Sequence, residues 1–144
     1  MIVVDTDHIS VLQHQDAPGS IELRERLDSV DHNEAVVTTV ATYEEQVRSW
    51  LSQIGRYPDV HRQIPFYRRL IQLADFFAEW ELLPFTKDAA DTFKQLRQQK
   101  IRISSTDLKI ASIVLVHNAT LLSRNLADFS LIPGLHVDNW LPHG

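Results

Sequence analysis

Apolar positions recur along this chain in two rhythms. Ile2-Val3-Val4 is a short apolar run that stops at Asp5, the mark of a buried strand that opens into polar ground. β-Branched residues dominate 35–40, where Val36, Val37, Thr38 and Thr39 follow one another, and further strands are expected at 81–85, 120–123 and, briefly, 136–137. Between these runs the spacing turns helical. Val47, Trp50, Leu51 and Ile54 fall at i, i+3, i+4 and i+7 before Gly55 and Pro58 interrupt the pattern. Phe66, Leu70, Leu73, Ala74 and Phe77 extend the same logic over a longer helix, and Ala89, Phe93 and Leu96 mark another after Thr86. Shorter helices are expected at 8–13 and 20–27. The stretch 108–116 is apolar almost all round except for Lys109 and Ser112, which predicts a helix packed deep in the molecule.

Strands separated by helices of this length imply parallel strands joined by crossover helices. The expected fold is therefore a three-layer α/β/α domain over 1–144, with a central, mostly parallel sheet of four or five strands. A chain of 144 residues with 44% hydrophobic content is long enough and apolar enough for one ordinary core. The absence of cysteine excludes disulfides, thiolate zinc sites and a cysteine nucleophile, and fits a reducing cytosol. The opening MIVVDTDHIS has no basic segment followed by a long apolar stretch, so it reads as a strand and not as a signal peptide. No apolar run approaches the roughly 20 residues that span a bilayer. A soluble, cytoplasmic protein without membrane contact is expected.

A net charge of -5 argues against a protein that grips nucleic acid by broad phosphate neutralisation. It leaves room for acids clustered around a metal, with local basic patches guiding a substrate. Lys94, Arg97, Lys100 and Arg102 form one such patch, and Arg62, Arg68 and Arg69 another. Taken alone, each reads as an ordinary solvated helix face.

Ligands of open α/β sheets bind beyond the carboxyl ends of the strands, so acids placed there come first. Asp5 ends the first strand, Glu44 and Glu45 follow the second, and Asn125 and Asp128 follow the fourth, while Asp107 opens the buried helix that leads into it. Each has an ordinary explanation. Thr42 to Glu45 fits a capping box, Asp7 suits the cap of the first helix, and Asp107 sits where a helix dipole favours negative charge. Gathered at one sheet edge, however, several carboxylates raise one another's pKa unless a cation intervenes. Oxygen ligands without cysteine, and without a histidine pair at ligand spacing, suit Mg²⁺ or Mn²⁺ better than zinc. The chemistry this implies is phosphodiester hydrolysis by an activated water.

At these residues the sequence resembles the PIN-domain family, and within it the VapC-type toxin ribonucleases. Val3-Val4-Asp5-Thr6-Asp7 resembles the family's strand followed by Asp-Thr, and Thr42-Tyr43-Glu44-Glu45 its Thr-x-x-Glu. Asp107-Leu108-Lys109-Ile110-Ala111 resembles its Asp-x-x-Ile-Ala helix, and the segment from Ser123 to Phe129, with Pro133-Gly134-Leu135, resembles its closing motif. The resemblance implies that Asp5, Glu45 and Asp107 bind the metal and that Asp128 or Asn125 completes the cluster. A register shift of one residue would give Glu44 the role of Glu45. Thr6 and Arg124 are possible ligand contacts. The resemblance further implies RNA cleavage to 5′-phosphate and 3′-hydroxyl products, homodimerisation, and neutralisation by a small antitoxin protein. Trp50, Phe66, Tyr67 and Trp80 are apolar candidates for those protein contacts, with ordinary core packing as the plainer reading.

Two other readings start from the same residues. Asp5-Thr6-Asp7 also resembles the opening of haloacid-dehalogenase phosphotransferases, in which Asp5 would be a nucleophile, but Ile9 stands where that family expects Thr or Val. A PIN-like module that binds RNA or protein without cleaving is the second, and Asn125, an amide where many relatives carry an acid, keeps it open.

Overall fold

The computed structural model describes residues 1–142. In chain order it contains β1 (Ile2–Val4), α1 (Thr6–Gln13), α2 (Ser20–Asp28), β2 (Val36–Thr39), α3 (Val40–Gly55) and α4 (Val60–Ala78). The second half adds β3 (Leu82–Leu83), α5 (Lys87–Gln98), α6 (Ser105–Val116), β4 (Thr120–Leu122), α7 (Leu126–Phe129) and β5 (His136–Asp138). All five strands are parallel, in the order β3-β2-β1-β4-β5. The chain builds outward from β1 in one direction through β2 and β3, then crosses back to lay β4 and β5 on the other side. That reversal puts a topological switch point between β1 and β4, where crossover loops diverge and leave a crevice.

Successive strand residues face opposite layers, and β1 shows the consequence. Val3 packs with Leu108, Ile110, Ile113 and Val114 of α6 and Leu96 of α5, whereas Ile2 and Val4 pack with Ile9 and Leu12 of α1, Leu23 of α2 and Phe77 of α4. The three-layer α/β/α arrangement expected from the sequence is the one observed. Helix α6 is buried along most of its length, as its all-round apolar pattern requires; truncating Leu108 to alanine there costs about 2–5 kcal/mol.

Helix starts differ from expectation at two points. Thr39, the last residue of β2, caps α3 by accepting from the Thr42 amide at 3.0 Å, so the helix begins earlier than a Thr42 cap would allow. Thr42 is instead buried, its hydroxyl 3.1 Å from that of Thr39. Asp5, not Asp7, caps α1, because β1 runs straight into the helix and leaves its terminal carboxylate beside the Thr6 amide. The short α7 has too few residues to show a periodic pattern and was not foreseen.

Of the four aromatic residues named as protein-contact candidates, only Tyr67 is exposed; Trp50, Phe66 and Trp80 are half-buried. Arg97 is spent internally. Its guanidinium donates to the Ile101 and Ile103 carbonyls at 3.0 and 3.1 Å and lies over Phe93, which ties the end of α5 to the following loop. Among the described residues no helix is long and apolar enough to cross a membrane.

Candidate active site

Register builds the site's centre. Val4 pairs with Leu122, and the Asp5 amide donates to the Leu122 carbonyl at 3.0 Å, so the residues just past the two strand ends, Asp5 and Ser123, stand side by side. Both are buried. Ser123 donates its hydroxyl proton to Asp5 Oδ2 at 2.7 Å, and the Thr6 amide donates to Oδ1 at 2.7 Å. The carboxylate is thereby fixed in place. Burial pushes the Asp5 carboxyl from its ordinary 3.8 up to about 7, with the charges of Asp7 and Asp107 adding to the rise against those two hydrogen bonds.

The remaining acids approach from separate elements. Glu45, in the second turn of α3, accepts from the Thr6 hydroxyl at 2.6 Å, which aims it into the cleft. Its neighbour Glu44 points elsewhere and pairs with Arg48 at 2.8 Å on the exposed face of the helix. Asp107 sits in the first turn of α6, whose cap, Ser104, accepts from the Asp107 amide at 3.1 Å. Burial raises its pKa, and the charges of Asp128 and Asp7 act in the same direction. Asn125 caps α7 and donates from Nδ2 to Asp107 at 3.3 Å and to Asp128 at 3.0 Å. Both partners are acceptors, so only the amide nitrogen fits there, and it bridges two like charges.

Asp5, Thr6, Asp7, Glu45, Asp107 and Asn125 line one cleft of about 270 Å³ at the β1/β4 switch point. Asp128 reaches it through its bond to Asn125, whereas the exposed Arg124 meets Asp7 through its backbone amide, at 2.8 Å. Among the described residues no three His, Asp or Glu side chains are already gathered into a metal-binding set. Each carboxylate is instead held by a hydroxyl or amide donor.

Two residues of the site, Ser123 and Asp7, lie within the motif segments but are not among the site residues expected from the sequence. Ser123 becomes important only through strand register. Asp7 accepts from His8 Nδ1 at 2.7 Å and from the Arg124 amide, and these bonds outweigh its burial and hold its carboxyl below the usual range. His8 is fully buried, and its Nε2 accepts the Trp140 amide at 3.1 Å, so the neutral ring with its proton on Nδ1 links Asp7 to the strap of residues 139–142 that follows β5. Gly19 closes the other side of that strap: its φ is +85°, and a Cβ there would lie 2.5 Å from Pro142 Cδ.

The family model described as PIN domain matches residues 2–134. Ribonuclease VapC2 of Rickettsia felis is 33% identical over 69 residues, which is 45% of this chain and 52% of that relative. The chain thus spans about half the length of the curated relative it matches. Among solved structures, VapBC2 from Rickettsia felis bound to a DNA fragment from its promoter superposes with a TM-score of 0.69 at 19% identity, covering 97% of this chain and 99% of that one. VapBC-1 from nontypeable Haemophilus influenzae gives 0.68 at 23% identity, with 97% and 98% covered. FitAcB from Neisseria gonorrhoeae gives 0.65 at 23% identity, again with 97% and 98% covered.

Proposed function

Since the chain belongs to the PIN-domain family, we propose that it is a metal-dependent endoribonuclease and the toxin half of a toxin–antitoxin pair. The observation that carries this reading is the meeting of Asp5, Glu45 and Asp107 in one cleft at the β1/β4 switch point, with Asn125 and Asp128 at its rim. The only curated activity among the relatives described above, that of ribonuclease VapC2, is consistent with it. Family membership leaves the aspartyl-phosphate chemistry of the dehalogenase reading without support.

The donor set suits a hard divalent cation. It is all oxygen, and a carboxyl as buried as Asp5 is costly to ionise without a nearby positive charge. Asp5, Glu45 and Asp107 would hold Mg²⁺ or Mn²⁺, with Asp128 completing the set. Bound there, the ion supplies the charge that polarises a phosphodiester and makes water a competent nucleophile at neutral pH. The protein's own residues supply positioning. Ser123 and the Thr6 amide fix Asp5, the Thr6 hydroxyl fixes Glu45, and Asn125 keeps Asp107 and Asp128 together despite their like charge.

The partners on this reading are an RNA substrate, a cognate antitoxin and a second copy of the chain, all in the cytoplasm. Support for protein partners comes from an apolar stripe along α4, where Val60, Ile64, Tyr67 and Ile71 are all exposed. Such a stripe is more than scattered surface hydrophobes.

The deciding experiment is cleavage of total cellular RNA by the antitoxin-free protein with Mg²⁺ or Mn²⁺ and with EDTA, alongside Asp5→Asn and Asp107→Asn. Discrete, metal-dependent fragments that disappear in both variants are expected. No cleavage by folded wild type over a broad RNA set would leave a binding-only module as the better description.

A further inference from the structure

Asp7 lines the cleft, yet it is not free to turn there. Its Oδ2 accepts from the Arg124 amide at 2.8 Å and faces the Ser123 hydroxyl at 3.3 Å, while its Oδ1 accepts from His8 Nδ1 at 2.7 Å. Ser123 has one hydroxyl proton and two carboxylates within reach, and it gives that proton to Asp5, at 2.7 Å. The serine oxygen in turn accepts the Asn125 amide at 3.0 Å. The turn that carries Ser123, Arg124 and Asn125 into the site is therefore pinned by Asp7.

His8 sets the rotation of Asp7, and it does so from outside the cleft. Its ring is wholly buried in α1, where each nitrogen needs a partner. The Trp140 amide donates to Nε2 at 3.1 Å, which leaves the ring proton on Nδ1, facing the carboxylate. The strap that presents this amide is itself held firmly. The Asn139 amide and Trp140 Nε1 donate to the two oxygens of Asp138, each at 2.9 Å, and the Leu141 amide donates to Asn139 Oδ1 at 2.9 Å. Leu141 is buried in the core cluster of Ile2, Val4 and Leu23, and the Arg26 guanidinium covers the Trp140 ring at 4.1 Å. Tied at each residue from 138 to 141, the segment keeps the Trp140 amide in place.

Without the His8 donor the Asp7 carboxylate can rotate, and either of its oxygens then competes with Asp5 for the proton of Ser123. We propose that His8 is a positioning residue of the metal site, with the strap of residues 139–142 as its outer support. By holding Asp7 Oδ1 it leaves Ser123 to Asp5 and keeps the 123–125 turn where Asn125 joins Asp107 to Asp128. Outer hydrogen bonds of this kind orient a metal's ligands and tune its affinity. The role rests on the ribonuclease reading for its consequence and adds to it a residue that never touches the cleft.

Amide side chains separate the two nitrogens of the ring. Asparagine places an N–H near the position of Nδ1 and keeps a donor for Asp7, whereas glutamine reaches the position of Nε2 and keeps an acceptor for Trp140. Mn²⁺ is titrated calorimetrically into the full chain and its variants, below the melting temperature of each. His8→Gln is expected to weaken Mn²⁺ binding about tenfold. His8→Asn recovers most of that loss, a rescue that packing alone does not give, since the shorter amide leaves the larger void. In an Asp7→Ala background His8→Gln has no further effect, because the group it acts through is gone. ¹⁵N spectra of the wild-type imidazoles, with His8 assigned by the signal missing in His8→Asn, show its proton on Nδ1. Should His8→Gln fold poorly, His8→Leu, close in volume and without a donor, takes its place. Equal losses in the asparagine and glutamine variants, unchanged affinity in His8→Gln, an undiminished effect in the Asp7→Ala background or a proton on Nε2 overturns the proposal, as does a wild type that binds no Mn²⁺. Wild-type RNA cleavage with unaltered Mn²⁺ affinity in His8→Gln sinks the positioning role alone, whereas the expected affinities without any wild-type cleavage sink the ribonuclease reading alone.

Discussion

Ser123 donates its hydroxyl proton to Asp5 at 2.7 Å, joining residues 118 positions apart across the boundary where the chain reverses its direction of sheet building. Deleting that donor leaves a buried carboxylate oxygen without its partner. Ser123→Ala is expected to lower Mn²⁺ affinity about 10–100-fold, the usual effect of removing a ligand's supporting hydrogen bond. It should also reduce folding stability by about 1–2 kcal/mol. Calorimetric Mn²⁺ titration and urea denaturation check both; an unchanged affinity would show that Asp5 is held without its serine.

The raised pKa of Asp5 makes stability depend on pH in a definite direction. A carboxyl at about 7 in the folded chain and at its ordinary 3.8 when unfolded favours folding through its protonated form. That contribution is complete below pH 4 and is lost as pH rises through 7. At pH 8 in EDTA, Asp5→Asn should therefore be more stable than wild type, by up to about 4 kcal/mol. The advantage should vanish by pH 4. Thermal melts across this range measure it, and equal melting temperatures at pH 8 would refute a cost of ionising the buried Asp5.

Glu44 and Glu45 are adjacent in sequence and opposite in circumstance. Glu45 accepts from Thr6 in the cleft, and Glu44 pairs with Arg48 in solvent. Glu45→Gln is expected to cut RNA cleavage by at least about 100-fold, in line with loss of a principal charge-stabilising group. Glu44→Gln should leave cleavage unchanged and alter stability by less than about 0.5 kcal/mol. Thr6→Val should behave as a weaker form of Glu45→Gln, and Thr6→Ser should restore activity, because only the hydroxyl is needed to aim the carboxylate. Single-turnover rates on one defined RNA separate the four variants.

Local patterns carried most of the fold and part of the site. The apolar run ending at Asp5 and the all-round apolar stretch of α6 each correspond to one physical requirement, burial on both faces, and both can be read residue by residue. Strand-end acids follow the same logic. The capping of α1 by Asp5 was harder to see because the strand runs into the helix with no intervening loop, leaving Asp7 as the apparent cap. Ser123, the Asp7–His8–Trp140 chain and the bridging role of Asn125 arise from contacts between distant segments, and the identity of a serine or histidine says nothing of its neighbours. In the basic patch on and after α5, Lys94, Lys100 and Arg102 are exposed, as a solvated face requires, and Arg97 alone is tied to the Ile101 and Ile103 carbonyls: charge is visible in sequence, but the carbonyls that position it are not.

Asn125 holds Asp107 and Asp128 through one amide nitrogen, at 3.3 and 3.0 Å, while its Oδ1 accepts the Asp128 amide at 3.4 Å at the start of α7. Asn125→Asp separates these two functions. Aspartate caps a helix as well as asparagine does, so α7 should persist. The bridging donor, however, becomes a third negative charge. In EDTA at pH 7.5 the variant is expected to be less stable than wild type by about 1–3 kcal/mol, and the difference should shrink toward pH 4 as the carboxylates take up protons. Mg²⁺ should raise its melting temperature more than that of wild type, since a cation then relieves a larger repulsion. Melting curves with EDTA and with Mg²⁺ at both pH values measure these effects together. Equal stability in EDTA would mean that the amide does not hold the two acids together, and a smaller Mg²⁺ response than wild type would mean that the added carboxylate lies outside the ion's reach.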